Sequence, residues 1–188
     1  MQSHISCITS LYYRIDVLQN ILGIKIKKGA VIKRGLTLGK KYYVKFKLFP
    51  QTMLINERNA NVLHFTTGEN SKQLGSRVPA LWVRNGESLY FVSDVNGKTN
   101  YVFLTSTKYP ANEVIDIIIQ QVAEENKYFF EVIVNNEKLH RIENNQPKVF
   151  EDVILYVSDP WHPAQPGYIT DLQYSEGQFN MRPISIKY

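Results

Sequence analysis

The 188 residues carry 44% hydrophobic and 12% aromatic side chains, enough for a sizeable core, and all-β sandwiches reach roughly 200 residues as one unit. Cys7 is the only cysteine, which excludes an intrachain disulfide and a cysteine-built zinc cage, and no run approaches the roughly 18 apolar residues of a membrane span. The net charge of +5 conceals an asymmetry: residues 1–50 hold ten Lys or Arg against Asp16 alone, a local +9, which leaves −4 for the rest.

Residues 1–28 read as an N-terminal extension, with room for a short helix over Leu11 to Leu22. Arg14 and Asp16 interrupt its one apolar stretch, so no signal peptide is expected. The basic excess sits in Lys25, Lys27, Lys28, Lys33, Arg34, Lys40, Lys41, Lys45 and Lys47. Such a cluster can attract nucleic acid, anionic lipid or sulfated glycan through a screened field. It also fits a solvated strand face. In Lys41-Tyr-Tyr-Val-Lys-Phe-Lys-Leu48, the residues Tyr42, Val44, Phe46 and Leu48 alternate with Lys41, Lys45 and Lys47, as a half-buried strand requires.

From Ala30 the chain becomes a succession of short β-type runs, near 30–37, 41–49, 61–67, 79–84, 88–94, 100–105, 113–122, 127–135, 137–142, 148–157 and 167–174. Asn85-Gly86 and Asn96-Gly97 predict type I′ hairpins, because both central residues need positive φ, and Asn135-Asn136 is a weaker third. Over 110–125, Val114, Ile117, Ile118 and Gln121 would fit a helical stripe capped by Asn112. Four Ile and a Val within six positions favour a pleated surface, and strand is the reading taken. At the far end, Lys148–Tyr174 reads as strand, rigid corner, strand, since Pro160, Pro163 and Pro166 cannot donate to a ladder. Antiparallel hairpins without strand-helix alternation predict an all-β, antiparallel two-sheet β-sandwich.

Five motifs then occur in order: Asn61-Val-Leu-His-Phe-Thr-Thr-Gly68, Gly75-Ser-Arg-Val-Pro-Ala-Leu-Trp82, Ser93-Asp-Val-Asn-Gly-Lys-Thr-Asn-Tyr101, Val132-Ile-Val-Asn-Asn-Glu-Lys-Leu-His140 and Tyr156-Val-Ser-Asp-Pro-Trp161. Together they resemble the laminin-G-like, concanavalin A-like jelly roll of extracellular proteins of cnidarians and other invertebrates. The resemblance covers roughly 30–175 and implies a domain over 29–176, with 177–188 a C-terminal strand or tail. It also implies an extracellular recognition or adhesion module for glycans or proteins, sometimes calcium-assisted. The cysteine pairs common beside the Val-Asn-Gly hairpin of such relatives are missing here.

Sugar binding needs an aromatic plate and a few orienting polar groups. Asp159, Trp161, His162 and Tyr168, in or beside the Pro-rich corner, are the candidates, with Arg84 as a further one. Large aromatics in a sandwich are commonly core, so the role of Trp161 turns on whether its indole meets solvent. Trp82, among Ala80, Leu81 and Val83, reads as packed. Calcium would need converging loop oxygens, for which Asp94, Asn96, Asp159 and Asp171 are the candidates, although Asx residues beside Gly and Pro are ordinary turn formers.

Jelly-roll glycoside hydrolases set two carboxylates about 5 Å apart on one strand face. Here Glu113 and Asp116 differ by three and diverge on a strand, as do the adjacent Glu151 and Asp152. His4, His64, His140 and His162 show no paired metal-ligand spacing, and no nucleophile elbow or phosphate-cradling loop occurs. The expectation is a noncatalytic binder of glycan or extracellular protein, without sequence-specific nucleic-acid contacts or a membrane span. The rivals are a divergent glycoside-processing enzyme and an electrostatic binder of anionic polymers through residues 25–47.

Overall fold

Burial alternates along Tyr42–Pro50, where Tyr42, Val44, Phe46 and Leu48 face inward while Lys45 and Lys47 face out. The computed structural model describes residues 23–175. His4, Cys7, the helix expected over Leu11 to Leu22 and the tail 177–188 lie outside the described residues.

Two antiparallel six-stranded sheets pack face to face, and the described residues contain no helix. The first sheet runs in the order β1 (Ile24–Lys25), β12 (Gly167–Tyr174), β3 (Tyr42–Pro50), β8 (Ile115–Glu124), β9 (Lys127–Val134), β10 (Glu137–Glu143). The second runs β2 (Val31–Leu38), β11 (Phe150–Tyr156), β4 (Asn59–Thr66), β5 (Ala80–Arg84), β6 (Ser88–Val95), β7 (Lys98–Leu104). This is the jelly-roll sandwich expected from the sequence. Its core lies between the sheets, where Phe46, Ile117 and Val132 of the first meet Phe65, Leu81 and Phe91 of the second.

The isoleucine-rich segment is a strand, because its β-branched residues alternate: Ile115, Ile117 and Ile119 are buried and Ile118 is half-exposed. The Asn turns take the positive φ values that type I′ hairpins need: 51° and 66° at Asn85-Gly86, 55° and 71° at Asn96-Gly97, 50° and 66° at Asn135-Asn136.

One element escapes sequence reading. Ile24 and Lys25, within the extension, pair with Ile169 and Tyr168, and Ile26 enters the core. A two-residue strand is too short to show a period. The basic cluster is also divided by the fold. Lys45 and Lys47 lie on the outer face of the first sheet, whereas Lys33 and Arg34 lie on β2 at the edge of the second. Lys47 Nζ is moreover 2.7 Å from Asp171 Oδ2, an exposed pair of small energetic weight.

Candidate functional site

On β4, Leu63 and Phe65 face the main core, so His64 between them faces outward, where the loops before β5 and after β11 cover it completely. His64 Nε2 donates to the Ser76 carbonyl at 2.7 Å, and its Nδ1 lies 2.8 Å from Asp159 Oδ2. A carbonyl can only accept, and an ionised carboxylate likewise, so both ring nitrogens face acceptors.

Asp159 organises its own loop as well. Its Oδ1 accepts from the backbone N–H of Trp161 at 2.9 Å and of His162 at 2.8 Å, and His162 Nδ1 is 2.9 Å from Oδ2. The Asp159 N–H donates to Asn61 Oδ1 at 2.7 Å. Burial pushes the Asp159 carboxyl up, but hydrogen bonds from His162 and His64 and their charges outweigh it and hold the group well below the usual carboxylate range. One histidine thereby ties two loops together: the one carrying Ser76 and Arg77, and the one carrying Asp159, Trp161 and His162.

Above this clamp an aromatic row crosses four strands of the second sheet. Trp161 meets Tyr156 and His64 edge-on, with ring centroids 6.0 and 5.7 Å away. His64 meets Trp82 at 5.3 Å, and Trp82 meets Tyr90 at 6.0 Å and His162 at 5.3 Å. Two guanidinium groups lie over the row, Arg77 5.3 Å from the Trp82 centroid and Arg84 5.1 Å from that of Tyr90. Trp161 is 40% exposed, whereas Trp82 is 1% exposed and packs with Ala80, Val92 and Tyr90 in a small second cluster. Trp82 is thus packed, as its neighbours in sequence indicate.

The residues chosen from the sequence do not form one set. Asp159, Trp161, His162 and Arg84 share the outer side of the second sheet. Tyr168 precedes the buried Ile169 on β12 and so points outward from the first sheet instead. The four residues considered for calcium are scattered. Asp171 pairs with Lys47, and Asp159 is enclosed by its two histidines. Asn96 binds the loop after β10, donating Nδ2–H to the Glu143 carbonyl at 2.7 Å and accepting from the Asn145 N–H at 2.5 Å. Asp94 is buried near Lys148, and burial raises its carboxyl against the lowering effect of that lysine. Among the described residues no three His, Cys, Asp or Glu side chains gather as a metal site would require.

Of the acids weighed for hydrolysis, Asp116 lies on β8 of the first sheet and Glu113 just before it, while Glu151 and Asp152 lie on β11 of the second. His64, Arg77, Tyr90 and Asn100 are the site residues that sequence reasoning passed over. Their only signal was alternation, which places His64 and Tyr90 outward from the main core.

No protein-family model matches the chain, and no curated protein matches it. Solved structures do resemble it in fold. A native heptameric SAP-like pentraxin from Limulus polyphemus aligns with a TM-score of 0.52 and 9% identity, over 80% of this chain and 70% of that one. The CBM40 of the Ruminococcus gnavus IT-sialidase, bound to α2,3-sialyllactose, aligns at 0.50 and 14% identity, over 82% of this chain and 92% of that one. Domain 4 of AbnA, a GH43 extracellular arabinanase from Geobacillus stearothermophilus, in complex with arabinotriose, aligns at 0.50 and 17% identity, over 80% and 67%. At these identities the likeness is one of fold.

Proposed function

We propose that this chain is a noncatalytic, extracellular recognition module of the laminin-G-like type, and that it binds glycans on the outer face of the second sheet with Trp161 as the stacking plate. The observation that carries the reading is the state of Trp161. The residue is 40% exposed, yet its backbone N–H is held by Asp159 and its ring is backed by His64 and Tyr156. A large aromatic held rigid in contact with water offers a sugar ring an apolar face at little ordering cost. Two fold neighbours hold saccharides, sialyllactose in one and arabinotriose in the other, which agrees with the reading although fold alone does not fix function.

Absence of catalysis is supported by the engagement of the buried acid–base pair. Both nitrogens of His64 and both oxygens of Asp159 are occupied by partners inside the protein.

The test is a glycan array probed with the full chain and with Trp161→Ala, each with calcium and with chelator. The expected result is a bound glycan class that the variant loses by at least about tenfold, as for an aromatic anchor at the centre of an interface. No glycan bound under either condition rejects the reading and leaves protein adhesion. The calcium arm separately tests Asp94, Asn96, Asp159 and Asp171 as ligands.

A further inference from the structure

Arg77 stands on the loop between β4 and β5, half-buried, one residue beyond the Ser76 carbonyl that His64 grips. Its Nε–H donates to Asn70 Oδ1 at 3.1 Å and an Nη1–H donates to Asn100 Oδ1. Both acceptors are neutral amides. Among the described residues Arg77 takes part in no ion pair, and its Nη2 donors have no hydrogen-bond partner. Its guanidinium is also fixed in direction, with the two asparagines on its donors and the Trp82 ring 5.3 Å from Cζ.

A cation partly withdrawn from water and oriented by neutral groups lacks the anion that ordinarily accompanies such burial. Burial, the largest influence on Arg77, accordingly lowers its pKa. The Asp159 charge opposes that shift from a distance but makes no ion pair with Arg77, and its oxygens already receive two imidazoles and two backbone N–H groups. The His64 clamp holds the Arg77 loop and the Trp161 loop to one another, so this guanidinium, with no anion in direct contact, and the exposed indole lie on the same side of the second sheet. Arg84 over Tyr90 adds a second cation without an ion-pair partner among the described residues on the same sheet face.

Resting on the glycan-binding reading above, we infer that the saccharide taken by this face is acidic, with a carboxylate or sulfate seated on Arg77 while a sugar ring lies on Trp161. A guanidinium presents paired N–H groups to such an anion, a geometry that an ammonium cannot copy.

The experiment compares matched glycans on the full chain at about 150 mM salt, where diffuse attraction is largely screened. The probes are α2,3-sialyllactose against lactose, a uronate oligosaccharide against its reduced neutral form, and a sulfated against an unsulfated disaccharide. Preference for an acidic member, lost about tenfold or more in Arg77→Gln and not recovered in Arg77→Lys, supports the inference, and the preferred pair separates carboxylate from sulfate. Thermal unfolding of each variant controls for folding. Should Arg77→Gln fail to fold, the Arg77 Nε–H resonance of the unaltered chain shifts on titration with the preferred glycan if the inference holds and stays fixed if it does not. Equal binding of neutral and acidic members, lost in Trp161→Ala but not in Arg77→Gln, overturns the acidic inference and keeps the glycan reading. Binding to none of the probes overturns the inference together with its premise.

Discussion

His64 Nδ1 lies 2.8 Å from Asp159 Oδ2, and neither side chain is exposed to solvent. The pair is separated by 95 residues in sequence, so it joins β4 to the corner after β11. Removing His64 strips the buried carboxylate of one of its two histidine partners, and breaking a buried pair costs about 3–5 kcal/mol. His64→Leu is expected to lower stability by that amount at pH 7, measured by urea unfolding. Adding Asp159→Asn to His64→Leu should cost about 1 kcal/mol or more less than the sum of the two single changes, because the residues act as a unit.

The two tryptophans separate structure from recognition. Trp82→Ala empties a packed site and is expected to cost about 3–5 kcal/mol. Trp161→Ala truncates a residue that is 40% exposed and should cost about 1 kcal/mol. Parallel denaturant titrations read both. A large loss for Trp161→Ala would recast it as a core residue.

Acid sensitivity has two windows. His140 stacks on Phe103 with centroids 4.4 Å apart and lies 3.0 Å from the Tyr101 hydroxyl, closing one side of the sandwich between β10 and β7. Burial holds its imidazole below the ordinary value. The unfolded chain therefore takes up a proton near pH 6.5 before the folded one does, and stability falls as pH drops from about 7 toward the folded pKa. His140→Phe should abolish this step. A second loss follows below about pH 4, the ordinary carboxylate range. There the unfolded chain takes up protons that the folded Asp159 and Glu131, both held low, do not. Burial raises Glu131, but hydrogen bonds from Lys138 and Gln120 and the charge of Lys138 outweigh it and hold the carboxyl low. Melting temperatures across pH 3–8 for both chains resolve the two windows.

Asp94 has the opposite sign. Its Oδ2 is buried without a hydrogen-bond partner among the described residues, and burial raises its pKa. The charged form at pH 7 is thus a burden that lessens as pH falls through the folded pKa toward the ordinary carboxylate value. Asp94→Asn is expected to stabilise the fold by about 1 kcal/mol, a rise of about 2–4 °C in calorimetry, and the gain should shrink in acid. Repeating the scan with calcium shows whether Asp94 is a ligand, since a bound ion would reverse the order of the two chains.

Gly167 opens β12 with φ of 149°, a conformation that side chains rarely adopt. A Cβ there would collide with the Phe49 carbonyl oxygen and lie 3.0 Å from Pro50 Cα. Gly167→Ala is expected to cost about 1–3 kcal/mol from backbone strain, with the collision in addition. Urea midpoints measure it.

Much of the fold could be read from local pattern. Alternation gave β3 its inward Tyr42, Val44, Phe46 and Leu48, Asn-Gly chemistry gave the hairpins, and three prolines gave the corner after β11, because each of these signals acts within a few residues. The candidate site was legible only in part. Asp159, Trp161 and His162 stood out through their density in one loop. Arg77 and Asn100 carry no local mark, and Tyr168, close to Trp161 in sequence, faces outward from the other sheet.

The sequence by itself thus determined an antiparallel sandwich, its turns and the identity of a constrained aromatic corner, since periodicity and turn propensity are properties of neighbouring residues. Only the tertiary structure decided that Trp161 meets solvent while Trp82 does not, that His64 closes two loops on Asp159, and that Arg77 stands beside them without an ion-pair contact among the described residues. Those outcomes depend on which strands of the second sheet lie side by side, and the pairing of β4 with β11 joins segments about ninety residues apart that no short-range pattern relates.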